Sequence, residues 1–144
     1  NGCRMSGNVV ALYDGVNDPS NYVIEHEHYN SIGMFKDSGI VQIPDIIAKY
    51  VCDYAFASAC AGNTGLVRPC KIKVGTARAT TAFMYMFDNC SNIILNTDPP
   101  GEEWKIEIDE AESEFAGAEM FRNTGGTMHG TPTIGTTYYI AQGE

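Results

Sequence analysis

No stretch of this sequence approaches the about 18 consecutive apolar residues that a membrane-spanning helix requires, so a helical span is not expected. Cations are scarce. Nine Lys and Arg stand against eighteen Asp and Glu, for a formal charge of −9, and that balance disfavours nucleic acid and anionic membrane as partners. The one basic cluster, Arg68, Lys71, Lys73 and Arg78, reads as a solvated strand edge. The chain has no CxxC or zinc-knuckle spacing, no GxSxG nucleophile elbow and no EF-hand loop. It also lacks the lysine of a phosphate loop, since Gly125-Gly126-Thr127 stands alone. These gaps leave no ready-made motif for zinc, acyl transfer, calcium or nucleotide. No internal repeat and no linker stand out, and residues 1–144 are read as one domain.

An apolar fraction of 44% and a charged fraction of 19% suit a folded chain with its own core. The segment Ile43–Gly62 carries the strongest helical signal. Pro44 suits a first helical turn, Ile46, Ile47, Tyr50, Val51 and Tyr54 recur at helical spacing, and Gly62 offers a C-cap. A second helix is expected over residues 109–122. There Asp109 and Glu112 resemble a capping box, and Ala111, Phe115, Ala118 and Phe121 form an inward stripe. Tyr22–Phe35 leans towards a third helix. Strands are expected over Gly7–Tyr13, Gly39–Ile43, Cys70–Val74, Ala82–Phe87, Ser91–Leu95, Glu103–Ile108 and Thr136–Ala141, with Asp98-Pro99-Pro100-Gly101 as a hairpin loop. Strands and helices without βαβ alternation point to an α+β fold with a mainly antiparallel sheet and two or three helices.

The five cysteines, Cys3, Cys52, Cys60, Cys70 and Cys90, suggest a disulfide-stapled chain with two bridges and one thiol left over. The chain opens Asn1-Gly2-Cys3 without a methionine, as expected after removal of a leader peptide. Together these imply an extracellular or cell-surface location. Candidate chemistry is sparse. Glu25-His26-Glu27-His28 brings two metal-ligating histidines within reach of one face, and His129 could complete a divalent-metal site. The same histidines could act as a general base. The carboxylates Asp109, Glu110, Glu112 and Glu114 have a simpler explanation at a helix start, and Asn89-Cys90-Ser91 fits a glycosylation pattern. Tyr138, Tyr139 and Ile140 are interface candidates, because tyrosine offers apolar area with a polar handle.

The reading that follows is an exported structural or interaction protein, self-associating or bound to another extracellular protein, since no coherent catalytic constellation stands out. Second stands a secreted hydrolase or metal-binding protein using His26 and His28. Third stands a secreted module for carbohydrate or a small ligand, with Trp104 lining its site.

Overall fold

The computed structural model describes residues 3–4, 23–24, 33–115 and 118–141. Nine strands and one short helix occur among them: β1 (Cys3–Arg4), β2 (Val23–Ile24), β3 (Ile40–Gln42), β4 (Ile46–Val51), β5 (Ile72–Ala77), α1 (Ala79–Ala82), β6 (Leu95–Asn96), β7 (Glu102–Trp104), β8 (Ile106–Ala111) and β9 (Tyr138–Ile140). The sequence Ile-Ile-Ala-Lys-Tyr-Val of β4 is rich in side chains that favour a pleated surface. It pairs in parallel with β5, which pairs in parallel with β8, and β2 lies on the far side of β4. Register stacks Ile46 on Ile72 on Ile106, and Ala48 on Val74 on Ile108. All six are buried. The alternate positions Lys49, Lys73 and Asp109 are exposed on the outer face.

Parallel neighbours that follow one another in the chain require a return path, and here the return paths stack as well. After β4 the backbone enters a row of tight turns. The amides of Phe56, Ser58, Cys60 and Gly62 donate to the carbonyls of Ala82, Met84, Met86 and Asp88 at 2.7–2.8 Å. One layer up, Gly33, Phe35 and Asp37 donate to Ala57, Ala59 and Ala61. One layer down, Tyr85, Phe87 and Asn89 donate to Ala118, Met120 and Arg122. The intervening amides close turns on themselves, as Ala59 does on Phe56 O (3.1 Å) and Asp88 on Tyr85 O (3.1 Å). Backbone donors are thus satisfied between layers and within them. The chain is a solenoid of stacked coils.

The turns require a left-handed corner at fixed places. Gly33, Ser58, Tyr85 and Glu119 hold one corner at positive φ, and Asp37, Gly62, Asn89 and Asn123 hold the next. The residue after the second corner is Ser38, Asn63, Cys90 or Thr124. In Ser38, Asn63 and Thr124 the side chain donates to the carbonyl three residues back, at 2.7–2.8 Å. Between the corners, Phe87 stacks on Phe121 (5.2 Å, 14°), and the preceding Phe56 stacks on Phe83 (6.0 Å, 10°). Four six-residue units therefore repeat, beginning at residues 33, 58, 85 and 119.

On the third side, β9 runs antiparallel between β6 and β7. The preceding tail crosses the last coil. Glu119 N donates to Thr131 Oγ1 (2.9 Å), Phe121 N to Gly130 O (2.9 Å), and Gly135 N to Ile106 O (2.9 Å). In this way the tail supplies the acceptors a further coil would have supplied, and it caps the stack.

Several expectations are corrected. The fold is not α+β with a mainly antiparallel sheet, because the main sheet is parallel. Among the described residues the only helix is the four-residue α1. The Ile43–Gly62 segment is β4 followed by turns. Its helical period arose because Ile46 and Val51 face inward from a strand whose alternation shifts at Lys49–Tyr50. Of the expected helix 109–122, residues 109–111 end β8 and residues 120–122 form turns, and no helix occurs among its described residues. Asp109 is an exposed strand residue and caps nothing. Ala82, Phe83, Met86 and Phe87 are buried as expected, with Met84 and Tyr85 half-buried, but the segment is the end of α1 followed by turns and not a strand. The hairpin expected at residues 98–101 does not form, since β9 separates the strands it joins. Gly7–Tyr13 and most of Tyr22–Phe35 lie outside the described residues.

The disulfide staple is also overturned: no cysteine pair stands at disulfide distance among the described residues. Cys52, Cys60, Cys70 and Cys90 are all buried, each taking a small apolar place inside a coil. Cys60 occupies the position held elsewhere by Phe35, Phe87 and Phe121. Cys90 occupies that of Ser38, Asn63 and Thr124, and its thiol donates to Cys60 O at 3.1 Å.

Candidate binding cleft

A cleft of about 770 Å³ opens where the third side meets the entry to the parallel sheet, within the about 300–1,000 Å³ range of small-ligand sites. Its layers follow the solenoid. β1 pairs with β3. A side chain at Gly65 would strike Val41 of β3, which puts the 65–70 segment in the next layer. Trp104 Nε1 donates to Cys70 O at 2.9 Å, and Arg68 pairs with Glu102, which brings β7 alongside in turn. The apolar lining is Val41, Ile43, Val67, Trp104 and Ile140. Val67 is 51% exposed, the most exposed large aliphatic side chain among the described residues. Trp104 is 7% exposed and packs edge-on against Phe121 (5.3 Å, 86°), so one side of its ring belongs to the core.

Charge on this side is unlike the rest. The cleft carries Arg4, Arg68, Lys71 and Lys105 with Asp45, Glu102, Glu103 and Glu107, and the adjoining outer sheet face carries Lys49 and Lys73 with Asp109 and Glu110. Six of the nine cations thus stand on these two adjoining surfaces beside six carboxylates. Within the cleft, Asp45 Oδ1 accepts the Lys71 amide (3.1 Å), and Lys105 Nζ lies 3.9 Å from Glu107. Arg4 and Glu103 have no ion-pair partner among the described residues.

The other titratable clusters tie coils together. Arg78 Nε lies 2.9 Å from Glu112 Oε2 and 3.6 Å from Asp53 Oδ1. Tyr50 OH donates to Glu112 (3.2 Å) and Thr81 Oγ1 to Asp53 (3.2 Å). Burial, ahead of these polar contacts, pushes the Tyr50 phenol up. Arg122 grips Asp88 with Nε (3.1 Å) and Nη2 (2.7 Å), Asn123 adds a third bond (3.3 Å), and the guanidinium sits 4.2 Å over the Tyr85 ring. The hydrogen bonds from Arg122 hold the Asp88 carboxyl below its ordinary range.

Of the residues singled out from sequence, His26 and His28 lie outside the described residues, and His129 is exposed on the tail. No group of three His, Cys, Asp or Glu able to hold a metal occurs among the described residues. Cys3 lies on β1, paired with Ile40. Asn89 is exposed at a left-handed corner, a place the turn geometry already explains. Tyr138 and Ile140 are buried inside the chain's own sheet, with Tyr139 half-buried, and Tyr138 OH accepts the Thr133 amide (2.8 Å). Sequence reasoning had placed Trp104 at a ligand site but missed Val67, Arg4 and Glu103, which no local motif marks. No helix is long and apolar enough to cross a membrane among the described residues. No family model matches the chain, and no curated protein or solved structure matches it.

Proposed function

We propose that this chain is a non-catalytic interaction protein that associates with a second copy of itself through the outer face of its parallel sheet. One observation carries the reading: that face interleaves two cations, Lys49 and Lys73, with three carboxylates, Glu107, Asp109 and Glu110, on a molecule whose acids outnumber its bases two to one. Lys73 sits in register beside Glu107, and exposed Lys49 and Asp109 flank exposed positions of the same face. A surface of interleaved signs can complement its own rotated copy, as an isologous pair requires. The clusters around Arg78 and Arg122 are engaged in holding neighbouring coils, which favours a scaffold over an enzyme. An extracellular location loses the support of the cysteine count, because no disulfide forms among the described residues, and the interaction role rests on the surface alone.

Light scattering tests the reading. The native chain should give about twice the 15.7 kDa of one chain, and Lys73→Glu, which sets two acids side by side, should return it to the single-chain mass. A native monomer, or a dimer untouched by Lys73→Glu, would remove the proposal.

A further inference from the structure

We infer that the cleft binds a short peptide with free termini, in extended form along the solenoid axis. This does not rest on the self-association reading, because the residues it uses lie at the third side rather than on the outer sheet face. The cleft has a polarity. Arg4, on β1, is exposed at one end and has no ion-pair partner among the described residues. Glu103, on β7, is exposed at the other, likewise without an ion-pair partner among the described residues, beside the already engaged Glu102. Between them the lining charges balance by count: Arg68 pairs with Glu102, Lys105 lies 3.9 Å from Glu107, and Lys71 is matched in sign by Asp45, whose carboxylate accepts the Lys71 backbone amide. What is left along the middle is the apolar strip of Val41, Val67 and Trp104.

A ligand matching this surface carries a carboxylate at one end, an ammonium at the other and apolar side chains between. β1, β3, the 65–70 segment and β7 are four successive layers. At about 4.8 Å per layer, Arg4 and Glu103 stand about 14 Å apart, the span of four or five extended residues at about 3.3 Å each. A single amino acid is too short to reach both ends. A longer chain would run its termini past them. The peptide's carboxylate would meet the Arg4 guanidinium and its ammonium the Glu103 carboxylate, with charge-assisted hydrogen bonds at each end.

Trp104, the only tryptophan in the chain, makes the test direct. Its emission is followed while the tetrapeptide Leu-Ala-Ala-Leu is added in four forms: free, N-acetylated, C-amidated and blocked at both ends. The free form should give a saturable change, with each single block weakening it about tenfold. Arg4→Gln should abolish the difference between the free and amidated forms. Glu103→Gln should abolish the difference between the free and acetylated forms. Both side chains are exposed, and unchanged circular dichroism would show that the variants fold. A doubly blocked peptide binding as tightly as the free one would overturn the inference, since the site would then read apolar surface only. So would the absence of any saturable response to the free peptide at millimolar concentration. Neither outcome bears on the dimer, which is read by mass.

Discussion

Cysteine is the residue whose surroundings matter most here. Burial pushes the Cys60 thiol well above its usual value, with Cys70 and Cys90 nearby adding to the shift. Burial likewise raises Cys70, and it pushes Cys90 up to about 11. In the unfolded chain these thiols ionise near pH about 8.5. Their folded values are raised, so the stability they contribute is complete below about 8.5 and is lost as pH rises through the folded values. The melting temperature should therefore fall between pH about 8.5 and 11, and Cys90→Ala should flatten that fall. Ellman's reagent at pH 8 should leave Cys60, Cys70 and Cys90 unmodified until denaturant is added; prompt native reaction would contradict their burial. Asp88 works at the other end of the scale. Its folded value is lowered, so its contribution is present above the ordinary carboxylate range and disappears as pH falls through the lowered value. Asp88→Asn should melt well below the native protein at pH 7 and converge with it towards pH 2. Parallel curves would show that the Arg122 pair does not stabilise the fold.

At the level of elements, Gly75 shows what stacking demands of a strand. A Cβ there would stand 2.6 Å from Lys49 O, so the β4–β5 approach at this point admits only hydrogen. Gly75→Ala should cost about 1–3 kcal/mol in urea unfolding, whereas Thr76→Ala beside it should cost much less. Equal effects would mean the approach is not tight. The strands at residues 40–42 and 138–140 were legible in the sequence, as were the first half of β5 and a strand over 103–108, because Ile72 and Val74, then Trp104, Ile106 and Ile108, alternate with polar neighbours; the sequence did not show that β5 runs on to Ala77, that Lys105 parts β7 from β8, or that β8 reaches Ala111. The turn rows were not. Ala-Phe-Ala-Ser-Ala-Cys-Ala and Ala-Phe-Met-Tyr-Met-Phe look helical or stranded by composition, while their conformation comes from hydrogen bonds to coils far away in sequence. A clue was nonetheless present. Met34-Phe35-Lys36-Asp37-Ser38, Met86-Phe87-Asp88-Asn89-Cys90 and Met120-Phe121-Arg122-Asn123-Thr124 share a Met-Phe pair followed by an acidic or amide corner and a short polar or thiol residue. Unequal spacing, and Ala59-Cys60-Ala61-Gly62-Asn63 standing in once, hid the repeat.

The whole molecule behaves as a stack in which each coil depends on its neighbours. β5 and the turns over residues 82–88 are bonded on both sides, to β4 and β8 and to the coils above and below. Hydrogen exchange should be slowest there and faster along residues 108–111 of β8, where the acidic Asp109 and Glu110 discourage a further strand from pairing. Uniform protection would argue against a coil-by-coil stack. The sequence by itself determined the inward alternation of Ile72 and Val74 and of Trp104, Ile106 and Ile108, though not that of β4, and it determined the acidic balance and the absence of a helix-length apolar run, because each follows from local pattern or from counting. Only the tertiary structure decided that the strands of the main sheet run parallel, that Cys52, Cys60, Cys70 and Cys90 are buried without a disulfide and that Arg4, Val67, Trp104 and Glu103 border one cleft. Parallel pairing and layer order are properties of how distant segments meet, and no local periodicity encodes the length of each return path.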